Sequence, residues 1–410
     1  MKRGPLAGTL SFLLPDPPEA ALLTVCLRPE RARAAWGTWA RSGGDLDGHR
    51  PLLPLLDEGA RRGDVALPEE TAARLRGARL HETLRLARVR EIAADALERV
   101  AGAGLDPVVV QDVALAETAY DDPTLRHCHA LEFLLAPGTA GEAADALTRG
   151  GFTPRAGRPW RGPCWELAHA SGFPIRLAEH PVPGFHPAGD AGPVRARSGP
   201  ARIAGHPVGI PAPEDALVIA CGRAAAGAER RTLLWACDAA RLVESHPDLD
   251  WDVVVGTADD WGLGLPLAAM LGWLAGALDV PVPVRAVETL ERRGRGHPVE
   301  PVLDCVRADG RAGPVSLLLR AAGWRERWTV LRWTAFPSAG RLRRSYPDAP
   351  LPTLYLARPF HWAIRALSRP GPRDRAGGSR VRAAGRDGAR SGGPPGPAAD
   401  PPSASRRSSG

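Results

Sequence analysis

The sequence predicts a mixed α/β protein of the α+β type, a small mixed β-sheet core flanked by N- and C-terminal helical regions. Three observations carry this. Apolar residues recur at helical spacing early on, as at Leu80, Leu84, Leu86, Val89, Ile92, Ala93, Leu97 and Val100. After Asp106 the pattern shifts to short β-branched and apolar runs bounded by turn residues. From Pro211 the helical period returns. The chain accordingly divides into a mostly helical region 1–90, an α/β core 91–207, a mostly helical region 208–368 and a basic tail 369–410.

The long early helix is expected to stop at Gly102 and Gly104. "DPVVVQD" then reads as a strand, "VALAETAY" as two helical turns and "DDP" as a turn. "ALEFLLAP" is a second strand, closed by Pro137 and Gly138, and "AGEAADALTRGGF" a helix ending at Gly150 and Gly151. "CWELAHASGFPIRLAEH" reads as two strands joined at Ser171 and Gly172. Strand, helix, strand, helix and hairpin make a small unit with a mixed sheet. "PAPEDALVIACGRAAA", "RRTLLWACDAARLVESH" and "DWDVVVGTADDWG" are three helices, the last stopping at Gly262, with two more to about Arg293. Within 297–368 "VSLLLRAAG" is strand-like and "GWRERWTVLRW" is rich in tryptophan. The tail beyond Pro370 has almost nothing to bury and is expected to be disordered.

Composition narrows the function classes. The net charge is +7, but from Pro370 onward eight Arg face three Asp, which is +5 and leaves +2 for the rest. A basic tail without aromatic residues to stack on bases argues against nucleic acid as a partner. Lys2 is the only lysine. Cys26, Cys128, Cys164, Cys221, Cys237 and Cys305 are scattered and form no CxxC pair, so neither a disulfide framework nor a zinc ribbon is expected. Thiols of this kind suit a reducing cytoplasm. No signal peptide is read at the N-terminus, and no apolar run suffices to span a bilayer.

Several phrases, in order, carry a resemblance: "LARVREIAADALERVAGAGLDPVVV", "ALAETAYDDPTLR", "LEFLLAP", "LTRGGFTP", "RRTLLWACDAARLVESHPDLDWDVVV", "WGLGLPLAAML" and the late "FPSAGRLRRSYPDAPLPTLYLARP". The chain resembles the bacterial nucleotidyltransferase family proteins, a divergent branch of the DNA polymerase β-like nucleotidyltransferases, over roughly residues 53–370. The resemblance implies a nucleotidyltransferase-type sheet, a nucleoside triphosphate as ligand and Mg²⁺ as cofactor. In that family the first strand ends in Lys-Gly, which holds phosphates, and the next strand carries Asp-x-Asp. Positions i and i+2 of a strand face one side, so both carboxylates reach one Mg²⁺. A third Asp on a neighbouring strand completes the site, which promotes in-line displacement at phosphorus.

This chain departs from the pattern at each of these places. Gln111 and Asp112 stand where Lys-Gly is expected, Ala130, Leu131 and Glu132 where Asp-x-Asp is expected, and Arg176, Leu177 and Ala178 where Asp-Leu-His is expected. Glu132 is the surviving carboxylate. Asp112 at a helix start suits a cap and repels a triphosphate. Arg176 is expected to pair with Glu132, one acid against one base with no need of a metal.

Three functions therefore compete. The favoured one is a degenerate nucleotidyltransferase homologue, weak or inactive in catalysis, that works through binding or a protein partner. The second is an active divergent nucleotidyltransferase that transfers a nucleoside monophosphate, with Glu132 as Mg²⁺ ligand and Asp112 recruited. The third is a metal site on His127 and His129, which share a face of an extended segment; Glu132, three residues on, faces the other side. Cys128 lacks an evident base to activate it. Arg88 and Arg90 on the long helix are either relics of phosphate contacts or solvated.

Overall fold

The computed structural model describes residues 10–155, 164–182, 191–227 and 232–295, together with positions 328, 350, 352, 353 and 355. Contacts along the chain divide it into two units, 1–359 and 360–410. The expected basic tail, the strand-like "VSLLLRAAG" and all but Trp328 of the tryptophan-rich phrase lie outside the described residues.

Helices α1 (Pro17–Leu27), α2 (Pro29–Arg41) and α3 (Leu53–Arg62) open the described chain. The α1 start is fixed by a capping box, in which Asp16 and Glu19 each accept the other's backbone amide. Helix α4 (Glu69–Gly102) follows and runs unbroken through residue 90. Its apolar stripe is shorter than its sequence suggests. Leu86, Val89, Ile92, Ala93, Leu97 and Val100 are buried, whereas Leu80 and Leu84 are 64% and 67% exposed. Only the second half of the helix lies against the sheet; the first half carries its own contacts through Leu75 and Glu82.

Seven strands form one mixed sheet in the order β3-β4-β5-β2-β1-β7-β6. They are β1 (Val108–Val110), β2 (Leu131–Leu134), β3 (Thr153–Pro154), β4 (Cys164–Ala168), β5 (Pro174–Ala178), β6 (Gly199–Ile203) and β7 (His206–Ile210). Strand β1 runs antiparallel to β2 and parallel to β7, and β2 runs parallel to β5. Helices α5 (Asp112–Thr118) and α6 (Ala140–Arg149) fall where the sequence places them. The β6–β7 hairpin is not evident in the sequence. Its turn is Ala204 and Gly205, both at positive φ, and its strands carry Pro200 and Pro207, residues that argue against strand. Pro200 lies on the edge strand β6, and Pro207 lies outside the part of β7 that pairs with β1, which meets it at Gly209.

Helices α8 (Pro213–Ala225), α9 (Leu234–Ser245), α10 (Trp251–Asp260), α11 (Gly264–Leu278) and α12 (Val284–Gly294) follow, after the short α7 (Gly192–Ala196). Two apolar clusters result. One lies among α4, α5, α6 and one sheet face; the other spans the sheet's opposite residues and the N- and C-terminal helices. Alternation along β1 divides Val109 from Val108 and Val110 in this way. Among the described residues, no helix is long and apolar enough to cross a membrane.

Candidate functional site

Strand register places four side chains in one row. Val110 pairs with Glu132, Glu132 with Arg176, and Arg176 with Glu166 on β4. Arg176 Nη1 donates to Glu132 Oε1 at 2.8 Å, and its Nε lies 3.7 Å from Glu166 Oε2. Arg155 continues the alternation, with Nη1 3.1 Å from Glu166 Oε1. A second cation reaches Glu132 from α8. Arg223 places Nη2 2.8 Å from Oε1 and Nη1 2.7 Å from Oε2. The expected single pair of Glu132 with Arg176 is therefore incomplete: Glu132 is clamped by two guanidiniums, and Arg176 is shared with Glu166. Arg223 is 91 residues away along the chain, so spacing gave no hint of it.

Arg223 is 3% exposed and also donates to Pro181 O at 3.1 Å. Close packing brings α8 to this position. A Cβ on Gly222 would stand 2.8 Å from Leu263 Cδ1 and 3.1 Å from Val182 Cγ2. The smallest residue thus admits the close approach that aims its neighbour at Glu132.

A second charged cluster lies at the entry to β2. Arg126 is fully buried and pairs through Nη1 with Asp112 Oδ1 and through Nη2 with Asp238 Oδ2, the latter at 2.8 Å. Tyr120 donates its hydroxyl to Asp238 Oδ1 at 2.7 Å. Asp112 Oδ2 accepts the backbone amides of His129 at 2.6 Å and Ala130 at 2.9 Å. The sequence expectation that Asp112 caps its own helix therefore fails: the N-cap is Gln111, and no side chain caps α5. The carboxylate turns to the β2 entry because the buried guanidinium and two amides there outweigh the helix's own donors. Burial would raise the Asp112 pKa, but Arg126, His129 and the Ala130 amide together hold it well below the usual carboxylate range. Burial would lower that of Arg126, and its two aspartates reverse this.

His127 and His129 stack edge-on with ring centroids 4.6 Å apart. His127 Nδ1 meets Glu82 Oε2 of α4 at 2.7 Å. His129 is pushed down to about 4, first by burial and then by its cationic neighbours, with Asp112 opposing. Cys128 between them is fully buried, and burial pushes its thiol far up, the reverse of activation. Arg90 lies on the solvent-exposed side of α4, and its guanidinium binds Glu117 of α5 at 2.6 and 2.8 Å.

These donors do not fit Mg²⁺. Both oxygens of Glu132 and both of Asp112 already receive N–H groups, and Ala130 offers no oxygen where a first ligand is expected. Among the described residues, no three His, Cys, Asp or Glu side chains converge on a common ion position. Gln111, which precedes α5, is buried at φ 58° and ψ −140°, with Oε1 unpartnered.

Sequence reasoning named Gln111, Asp112, Glu132 and Arg176, and the fold brings them to neighbouring positions around β1 and β2. It passed over Arg126, Arg223 and Asp238. Arg223 and Asp238 are single charges inside apolar helical runs, "ALVIACGRAAA" and "LLWACDAA", and a lone charge in such a run signals a buried partner.

A mixed sheet with β1 leading into α5, flanked by helices and carrying this row at its centre, is consistent with a nucleotidyltransferase-like protein. The chain belongs to the family described as uncharacterised nucleotidyltransferase, which matches residues 49–278, more than half its length. No curated protein and no solved structure matches it.

Proposed function

We propose that this chain is a weak or inactive nucleotidyltransferase homologue that acts by binding, in the cytoplasm, with a nucleoside triphosphate as ligand class and a protein partner as its output. One observation carries the reading: the Glu132 carboxylate is held by Arg176 and Arg223. A hard dication needs free oxygen ligands. Here two fixed cations stand against the one surviving acid, and a metal would have to displace both. Asp112 supports the same reading, because releasing it to a metal would leave Arg126 buried beside one carboxylate rather than two.

The test combines calorimetry with pyrophosphate release. The full chain is titrated with each nucleoside triphosphate, with and without Mg²⁺, and turnover is followed in wild type and Glu132→Gln. The expected result is nucleotide heat that does not depend on Mg²⁺, with no pyrophosphate release above the variant's level. Mg²⁺-dependent release that disappears in a folded Glu132→Gln protein would overturn the proposal in favour of an active enzyme with Glu132 as ligand.

A further inference from the structure

Helix α4 has two apolar faces along its first half. Leu75, Leu86 and Val89 are buried on the inner one, beside Glu82. At about 100° per residue, Ala73, Gly77, Leu80, Leu84 and Ala87 fall on the opposite side. All five are exposed, Leu80 at 64% and Leu84 at 67%, and they belong to neither apolar cluster. Their alternating steps of four and three residues are those of a coiled-coil seam, here two leucines among small residues. The positions beside the seam are Arg74, Arg76, His81, Thr83, Arg88 and Arg90, none of them acidic. The four arginine side chains are 38–60% exposed and bind Asp47, Glu69, Glu91 and Glu117 in turn. A guanidinium has five N–H donors, and these contacts use one or two of them.

We propose that this face docks an amphipathic helix of another protein, with leucines at its seam and glutamates or aspartates beside them. The inference rests on the reading above for its role, since it gives the protein partner a chemistry. Charge selects the occupant. Two copies paired antiparallel through Leu80 and Leu84 would set Arg74 against Arg88 and Arg76 against Arg90, like charges throughout. The chain's own segment from Pro370 on has eight Arg against three Asp and carries the same sign as the arginines here. Acids beside a partner's seam meet those arginines instead, and exposed pairs such as Arg76 with Glu69 are weak enough to be exchanged. Side-chain size favours a helix over a bilayer. Ala73, Gly77 and Ala87 would bury little area in lipid, but beside the two leucines they leave holes that the side chains of a facing helix can enter. Burial of Leu80 and Leu84 supplies affinity, and the arginines supply specificity of sign.

The test uses the full chain and a labelled peptide of about three heptads, with leucine at the seam and glutamate beside it, followed by fluorescence anisotropy. The same peptide with lysine in place of glutamate is the control. Phosphatidylglycerol vesicles are titrated in parallel, and sedimentation gives the oligomeric state. The glutamate peptide is expected to bind saturably and about tenfold or more tighter than the lysine peptide. Leu80→Glu combined with Leu84→Glu, at two exposed positions, should abolish that binding in a protein whose circular dichroism is unchanged. Arg76→Glu combined with Arg88→Glu should reverse the preference toward the lysine peptide. The proposal fails if the glutamate peptide does not saturate, if the lysine peptide matches it, or if the leucine variant binds unchanged. Vesicle binding or dimerisation of the wild type that the leucine variant loses would overturn it in favour of a membrane or a second copy. No nucleotide or Mg²⁺ is present, so failure here leaves the nucleotide reading standing, and a Mg²⁺-dependent enzyme would leave this docking face standing.

Discussion

The two charged clusters beside β2 are built in opposite ways. At the strand's entry, one arginine stands between two aspartates, all three fully buried, with Asp112 tied to the backbone amides of His129 and Ala130. Within the strand, one glutamate stands between two arginines, and the row continues outward through Glu166 to the half-exposed Arg155. The first cluster has lost access to water and to ligands. The second keeps a wet edge. Charge compensation alone therefore does not distinguish a structural from a functional cluster; the gradient of burial does.

The largest effect is expected where burial is complete. Arg126→Met leaves Asp112 and Asp238 facing each other without a cation, which should cost about 3–5 kcal/mol in urea denaturation. Adding Asp112→Asn and Asp238→Asn removes the uncompensated charges and should restore a large part of that loss. If Arg126→Met alone is nearly neutral, the entry cluster is not the fixed point described above.

A smaller loss is expected in the row. Glu132→Gln keeps shape and hydrogen-bond acceptors at one oxygen but leaves Arg223 buried without its carboxylate, costing about 2–3 kcal/mol. Arg176 should contribute less to this, because Glu166 remains near it. A double-mutant cycle between Glu132 and each arginine measures the two couplings. Equal couplings would remove the asymmetry.

Much of the frame was legible because it rests on local patterns. β1, α5, β2, α6 and the β4–β5 pair follow from runs of apolar residues and the turn residues between them. The clusters were half legible. Glu132 and Arg176 could be paired because adjacent strands were expected to carry them. Arg223 and Asp238 come from helices whose sheet-facing side only the tertiary fold determines. Arg126 was passed over beside His127, Cys128 and His129, although it alone of these is fully paired and carries charge into the core. Leu80 and Leu84 show the converse, since helical period marks a face but not what covers it.

The entry cluster also sets a pH response. The His129 pKa lies near 4 in the fold against about 6.5 unfolded, so the unfolded chain binds the proton more readily between those values. Stability should therefore be full above about pH 6.5 and fall as pH drops toward 4, by about 2 kcal/mol once partial exposure is allowed for. Urea midpoints across this range should show the slope in wild type and a flatter one in His129→Leu. Asp112, whose pKa is lowered, adds a further loss only below about pH 4, where the unfolded carboxyl begins to take its proton.

The smallest effect belongs to the wet edge. Arg155 and Glu166 meet at 3.1 Å with side chains 45% and 23% exposed. Such pairs contribute about 0–1 kcal/mol, because water already screens them and ordering two long side chains offsets the attraction. Arg155 also donates to Gly172 O at 2.6 Å, at the β4–β5 turn, so the variant tests a turn contact together with the ion pair. Arg155→Ala should shift the urea midpoint little and should lose most of its effect in 1 M salt, where screening shortens to about 3 Å. A loss above about 2 kcal/mol that survives salt would place Arg155 with the buried arginines, and the burial gradient across the row would no longer separate the two clusters.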